Sequence, residues 1–231
     1  MSVLEPIGDD LWTIEGSVVT FFGFRFSTRM AVARLADGAL WLWSPVALTD
    51  EIRDAVAGLG EPRFAVEPNS LHHLALGDWT KAFPSLELWA PPALAKKRRD
   101  LRFIGELGDE APLAWRGAIE QTRVQGSVAL TEVLFFHQAS RTCLVGDLVQ
   151  RFDPTWDTTW RGWVMKKDGL VGPNGSTPRE WRATFLRRDR ARAAVRRAIA
   201  WEPEHLVIAH GACEMKDATG TLRRAFRWLG V

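Results

Sequence analysis

The chain has few of the sequence features that are typical of disulfide-rich, secreted or membrane-spanning proteins. It has no tyrosine and only two cysteines, Cys143 and Cys213, in 231 residues. Two cysteines cannot form a disulfide framework, and neither belongs to a Cys-x-x-Cys motif. No apolar stretch approaches the length needed to span a bilayer, and the first residues contain neither the basic nor the apolar segment of a secretion signal. These absences predict a cytoplasmic protein with no membrane partner.

A strong charge of either sign is also missing. The formal net charge of +2 is too small to indicate binding to a nucleic acid, so we expect no such partner. Basic residues do cluster at 96–99 and 187–197, but both clusters lie in Ala-rich, helix-like stretches. We interpret them as solvated helix faces, with a phosphate-binding surface as the alternative.

The patterning that is present predicts an α/β protein. Residues 11–14 predict a short strand. Residues 30–35 and 39–44 are strand-like and flank the turn signal Ala36-Asp37-Gly38, which predicts a hairpin. Thr49 then has the position of a helix N-cap and Gly60 that of a helix stop. This alternation of strands and helices is typical of α/β folds.

The second half of the chain repeats strands followed by helices. Strands are predicted at 119–124, 132–136, 142–145 and 205–209, and helices at 189–201 and 217–229. Between them, residues 153–182 contain four tryptophans and little periodicity, and they are too apolar for a disordered linker. We therefore expect one domain over residues 1–231, with a Trp-rich insertion at about 153–182 that packs over it.

Residues of the types that bind metals stand at the ends of three apolar segments. His210 follows the strand-like run 206–209, Asp147 follows the run 143–146, and the pair His72-His73 ends the loop 68–71. Imidazole and carboxylate groups are common ligands of zinc, iron and manganese. The pattern predicts a metal site, or the remains of one, on the rim of a sheet.

The order of these motifs resembles that of the metallo-β-lactamase superfamily. Residues 68–74 correspond to its His-rich hallmark, 144–148 to its Gly-Asp strand, and 207–211 to its late strand that ends in His-Gly. The chain resembles most closely the uncharacterised DUF4336 branch, because of the run 136–142 before Gly146-Asp147. The resemblance implies a four-layer αβ/βα sandwich with metal bound along one sheet edge.

One of the two metal positions of that superfamily has no counterpart here. Pro68 and Ser70 occupy its first two ligand positions, and no histidine stands near residues 126–127, where the third is expected. His137 is close in sequence, but we interpret it as a partly exposed histidine of a hairpin turn. The resemblance therefore implies at most one metal ion per chain.

The other metal position is better preserved. The resemblance assigns His73, His72, Asp147 and His210 as ligands, with His72 on a position where the family has aspartate. The implied cofactor is one divalent ion, zinc first, with iron or manganese as alternatives, or no ion if the site is vestigial. Adjacent residues do not face the same way on a regular helix, so His72 and His73 can converge only on a loop or at a helix start.

The implied function is that of a mononuclear metal-dependent, hydrolase-like enzyme acting on a small molecule of unknown identity. His72 replaces the carboxylate that transfers protons in hydrolases of this family, which also leaves an iron-dependent oxidative reaction open. The alternative is a non-catalytic, metal-free member of the fold that binds a ligand or protein. Asp147 and His210 would then be hydrogen-bonded rim residues. Cys213 either approaches the metal or is a buried small apolar residue.

Overall fold

Seven strands form the first sheet in chain order in the computed structural model, which describes residues 3–231. They are β1 (Glu5–Gly8), β2 (Leu11–Phe21), β3 (Phe24–Arg34), β4 (Leu40–Trp43), β5 (Pro62–Val66), β6 (Glu87–Ala90) and β7 (Phe103–Glu106). The first three pairings are antiparallel and the last three are parallel. Parallel neighbours require crossovers, and these contain α1 (Asp50–Leu59), α2 (Leu76–Ala82) and α3 (Pro92–Lys97).

The second sheet has four strands in the order β11-β10-β9-β8. These are β8 (Ile119–Val124), β9 (Glu132–His137), β10 (Thr142–Val145) and β11 (His205–Ile208). The remaining helices are α4 (Trp160–Asp168), α5 (Arg179–Thr184), α6 (Arg188–Ala200) and α7 (Ala218–Ala225), followed by a 3₁₀ turn at Arg227–Leu229. Because β10 and β11 are parallel, both strands end at the same edge. Within residues 3–231, no helix is both long and apolar enough to cross a bilayer.

The two sheets pack face to face, with helices on both outer sides. In β4, Trp41 and Trp43 face the second sheet, whereas Leu40 and Leu42 face α1 and α2. This strand is apolar at every position because both of its faces are covered. On the far side, α6 and α7 pack against the outer face of the second sheet. The predicted four-layer αβ/βα sandwich is confirmed.

Several elements lie where the sequence predicts them. The 36–38 turn joins β3 and β4 as an antiparallel hairpin. Thr49 caps α1, since its hydroxyl oxygen accepts a hydrogen bond from the Ile52 amide at 3.2 Å, and Gly60 ends the helix. Local signals of this kind need no tertiary partner, which is why the sequence reveals them.

Other strands carry no such signal and were not predicted from the sequence. These are β1, β7 and the outer halves of β2 and β3, where only 11–14 and 30–35 were predicted. Their residues are mostly exposed or half-exposed, so no apolar alternation marks them. The predicted exposure of His137 was wrong: it is the last residue of β9 and is buried, with its Nδ1 2.8 Å from the Ser140 hydroxyl.

The Trp-rich segment at 153–182 contains α4 and the start of α5. It packs through a small apolar cluster in which Met165 and Leu170 contact Phe152 and the partly buried Phe24 and Phe26 of β3. The indole N–H of Trp156 also donates a hydrogen bond to the Arg25 carbonyl at 2.9 Å. The segment is thereby attached to the β2–β3 hairpin.

Glu67, which directly follows β5, is a buried carboxyl group without a hydrogen-bond partner within residues 3–231. Burial raises the pKa of Glu67 well above its ordinary value of 4.5. The neutral acid is therefore favoured in the folded protein, whereas the unfolded chain ionises normally.

Glu67→Gln is expected to make the free energy of unfolding fall less steeply as the pH rises. Between pH 4.5 and its raised folded-state pKa, wild-type Glu67 loses its proton only on unfolding. This lowers the free energy of unfolding by about 1.4 kcal/mol per pH unit, and a neutral glutamine removes that loss. Urea denaturation of both proteins from pH 4 to 8 measures the difference. The exposed Glu61→Gln is the control, and parallel pH profiles for wild type and Glu67→Gln would contradict the expectation.

Candidate metal centre

Three side chains of metal-binding type converge at the edge where β10 and β11 end. Asp147 follows β10, His210 follows β11, and His72 lies in the loop between β5 and α2. Their ligand atoms all lie within 4.8 Å of one another, and no other such group occurs within residues 3–231. The Nε2 atoms of His72 and His210 lie 3.1 and 3.2 Å from the two carboxylate oxygens of Asp147.

Both histidine rings are held through their other nitrogen. The His210 Nδ1 lies 2.6 Å from the Ser27 carbonyl oxygen, and Phe26 packs edge-on against the ring at 5.5 Å. The His72 Nδ1 lies 2.6 Å from the hydroxyl oxygen of Ser44. Such contacts fix the orientation of histidine ligands and direct the second nitrogen toward the metal.

His210 faces hydrogen-bond acceptors at both ring nitrogens, the Ser27 carbonyl and the Asp147 carboxylate. A neutral imidazole has only one N–H. The second nitrogen must therefore carry a proton or coordinate a cation placed between it and the carboxylate. Burial alone lowers the pKa of His210, but the hydrogen bond and charge of Asp147 outweigh it and raise that pKa above its ordinary value.

Asp147 is a buried carboxylate surrounded by donors. Besides the two histidines, the Asn69 side-chain amide donates to its Oδ2 at 2.7 Å. Burial alone raises the pKa of Asp147, but the charges and hydrogen bonds of His72 and His210 lower it well below its usual range. The carboxylate is thereby kept ionised, which is the form that binds metal.

Beneath Asp147, the buried Glu132 at the start of β9 holds the ligand loop. Its carboxyl oxygens accept hydrogen bonds from the backbone amides of Gly146, Asp147 and Leu148 and from the Asn69 side chain, at 2.7–3.4 Å. Burial and the nearby charge of Asp147 raise the pKa of Glu132 to about 8. Glu132 therefore fixes the backbone that carries Asp147, a role that was not predicted from the sequence.

The loop after β11 is fixed in a comparable way by Arg29 of β3. This buried arginine pairs with Glu15 and donates to the carbonyl oxygens of Ile208 and Gly211. Gly211 has φ of +101°, in the left-handed region that favours glycine. The turn directly after His210 thus has both a residue that permits its conformation and an arginine that holds it.

His73 does not join the group. Arg98 donates to its carbonyl oxygen at 2.8 Å and approaches its Nδ1 at 3.3 Å. Burial and the charges of Lys97 and Arg98 lower the pKa of His73. Of the four residues predicted as ligands, the structure therefore brings together three, His72, Asp147 and His210.

Pro68, His205 and Cys213 make structural contacts outside the candidate centre. The Pro68 carbonyl accepts a hydrogen bond from the Val133 amide at 2.8 Å, which ties the loop to the second sheet. His205 approaches the Ser140 carbonyl at 3.2 Å. Cys213 is partly buried and packs against the core between the sheets.

Four residues around the group escaped the sequence analysis: Asn69, Glu132, Ser27 and Ser44. Asn69 lies inside the predicted motif loop, and Glu132 is a lone charge that opens an apolar strand. Those two positions carried a usable signal. Ser27 and Ser44 carried none, because their contacts join segments far apart in the sequence.

A family model described as a domain of unknown function, DUF4336, matches residues 8–160. No curated protein matches the chain.

Solved structures of metallo-β-lactamase fold resemble the chain along almost its whole length. The DIM-1 metallo-β-lactamase exposed to ceftazidime has 16% identity and a TM-score of 0.65, with 97% of this chain and 96% of that chain covered. The mono-zinc form of the FIM-1 enzyme from Pseudomonas aeruginosa has 10% identity and a TM-score of 0.63, covering 98% and 95%. The Flv1 flavodiiron core from Synechocystis sp. PCC6803 has 12% identity and a TM-score of 0.63, covering 98% and 60%. At these identities the likeness establishes the fold alone.

Proposed function

The chain belongs to the DUF4336 family, and from its fold and candidate metal centre we propose that it is a mononuclear metal-dependent, hydrolase-like enzyme. The observation that carries the proposal is the convergence of His72, Asp147 and His210. Two imidazoles and one carboxylate form a donor set that suits zinc, iron or manganese. Three protein ligands also leave a coordination position for water or substrate, as catalytic zinc sites do. A closed shell of four protein ligands would leave no such position.

A bound divalent ion would supply Lewis acidity, which lowers the pKa of water and polarises a carbonyl or phosphoryl oxygen. The chain's own residues would position the ion and balance its charge. Asp147 provides the negative charge, and the Nε2 atoms of His72 and His210 provide neutral donors once deprotonated. Ser27 and Ser44 hold the two rings, while Glu132 and Asn69 hold Asp147 in place. The substrate we propose is a small molecule with a hydrolysable acyl or phosphoryl group.

The rival function is that of a metal-free binding module. It is favoured by one observation: Asp147 already accepts hydrogen bonds from Asn69 and can accept them from both histidines when these are protonated. Such a network is satisfied without an ion. Metal content separates the two functions before any substrate is known.

The purified protein, expressed with zinc, iron and manganese supplied, is expected to contain one metal ion per chain. Pro68 and Ser70 stand where a second site would need ligands, and residues 3–231 form only one group with three suitable donors. Elemental analysis by mass spectrometry after desalting measures the ratio. Two tightly held ions per chain would contradict the mononuclear site, and none would favour the binding module.

Activity is tested with chromogenic esters and phosphodiesters, which need no knowledge of the natural substrate. Under the proposal, turnover appears with metal and is lost on chelation and in Asp147→Asn. Turnover that survives both would come from something other than this centre.

A further inference from the structure

A cavity lined by none of the candidate metal-centre residues has a strongly basic wall. It has a volume of about 310 Å³ and lies among the end of α4, the loop 169–176, α5 and the segment from α7 to the 3₁₀ turn. Its charged lining residues are Lys167, Asp168, Arg179, Arg182, Arg224 and Arg227. Five of these six are basic. The volume is at the lower end of the range for small-molecule sites.

The protein neutralises only part of this charge. Asp168 pairs with Arg179 at 3.3 Å, and Asp217 pairs with Arg224 at 2.9 Å. The side chain of Arg227 has no ion pair or hydrogen bond within residues 3–231, and Lys167 has only the ring of Trp163 at 5.7 Å. A basic wall with unpaired members attracts an anion.

One further carboxyl group, Glu180, lies beside Asp168. Burial, and then the charge of Asp168, raise the pKa of Glu180. Even with Glu180 ionised, three carboxylates, Asp168, Glu180 and Asp217, stand beside the five basic side chains of the wall. The cations therefore remain in excess.

Arg182 is held in place inside this cluster. Its Nε donates to the Thr177 carbonyl at 2.6 Å, and its Nη2 donates to the Ser176 hydroxyl. Burial is the main cause that lowers the pKa of Arg182; the charge of Asp168 opposes this shift, and the charges of Arg179 and Arg227 add to it. The guanidinium is thus oriented and has two like charges nearby, which an added anion would help to balance.

The loop that borders the cavity is shaped by glycine. Gly169 and Gly175 both line the cavity and have positive φ, a conformation that favours glycine. Ser176 exchanges two backbone hydrogen bonds of 3.0 Å with Gln150, on the segment that begins at Asp147. The loop is therefore anchored to the body of the protein.

We propose that this arginine-lined cavity binds a phosphate or pyrophosphate group of a small ligand. Planar guanidinium groups match phosphate oxygens through paired N–H donors, and such charge-assisted hydrogen bonds are among the strongest in proteins. A ligand with one or two phosphoryl groups suits a cavity of this size and charge. The site needs no metal, so it stands whether or not the proposed hydrolase function does.

Titration calorimetry with inorganic phosphate and, separately, inorganic pyrophosphate tests the proposal on the chelator-treated full chain. Saturable binding of either anion at one site per chain is the expected result. Arg227→Gln is expected to weaken it roughly 10- to 100-fold, because one charge-assisted contact is lost. The side chain of Arg227 has no ion pair or hydrogen bond in the part of the chain that the structure describes, so the variant should fold, and Arg179→Gln provides a second, independent loss.

Two controls define the site. Arg223→Gln removes an exposed charge from α7 outside the cavity and should leave binding unchanged. His210→Ala should also leave it unchanged, which distinguishes this cavity from the candidate metal centre. The proposal is overturned if neither anion binds, if Arg223→Gln weakens binding as much as Arg227→Gln, or if His210→Ala abolishes it.

Discussion

His210→Ala is expected to remove most of the bound metal while leaving a folded protein. His210 supplies one of the three donors that converge among residues 3–231. Changes even in residues that merely orient ligands cost roughly 10–100-fold in metal affinity, so loss of a ligand should cost at least that much. The Ser27 carbonyl loses a partner, which costs about 1–3 kcal/mol of the free energy of unfolding. The free energy of unfolding of a typical domain is about 5–15 kcal/mol, so the protein should remain folded. Metal content by mass spectrometry and folding by circular dichroism measure the two effects.

His73→Ala is the matched control for this experiment. His73 is adjacent to His72 in sequence, but its contacts are with Arg98. The variant should therefore retain metal, whereas His72→Ala should lose it as His210→Ala does. Loss of metal in His73→Ala would return His73 to the ligand set, and full metal content in His210→Ala would place the metal elsewhere.

Glu132→Ala is expected to cause the largest loss of stability, about 3–5 kcal/mol in the free energy of unfolding. Two effects compete at this position. Removing a buried acid beside Asp147 relieves the burial and repulsion that raise its pKa to about 8. The variant, however, leaves three backbone amides and the Asn69 side chain without their acceptor. The unsatisfied donors outweigh the relief because each costs about 1–3 kcal/mol when buried.

Urea denaturation of metal-free wild type and Glu132→Ala measures this loss. Glu120→Ala, on the neighbouring strand β8, is the control because the Glu120 side chain accepts an exposed hydrogen bond from Gln138. Its expected effect is within about 0.5 kcal/mol. If Glu132→Ala were as stable as Glu120→Ala, Glu132 would not support the Asp147 loop.

Several features were predictable because they depend on local sequence. The cap and stop of α1, the β3–β4 hairpin and the apolar strands of the inner core have signals within a few residues. Asp147 and His210 were predictable for the same reason, since each ends an apolar run and parallel strands end at a common edge. The outer halves of β2 and β3 could not be predicted, because both their faces are largely exposed and the apolar period is lost.

The sequence, through its resemblance to a known superfamily, was enough to predict the four-layer fold, the edge at which the candidate centre lies, and all three of its residues, with His73 as a fourth. The three-dimensional structure was needed to separate His72 from His73, because neighbouring side chains point in different directions and Ser44 and Arg98, both remote in sequence, hold the two rings apart. The role of Glu132 also required the structure, because it depends on the pairing of β9 with β10. The arginine-lined cavity required it as well. Its cations come from α4, α5, α7 and the final turn. Like charges so far apart in the chain become neighbours only when the core brings their helices together.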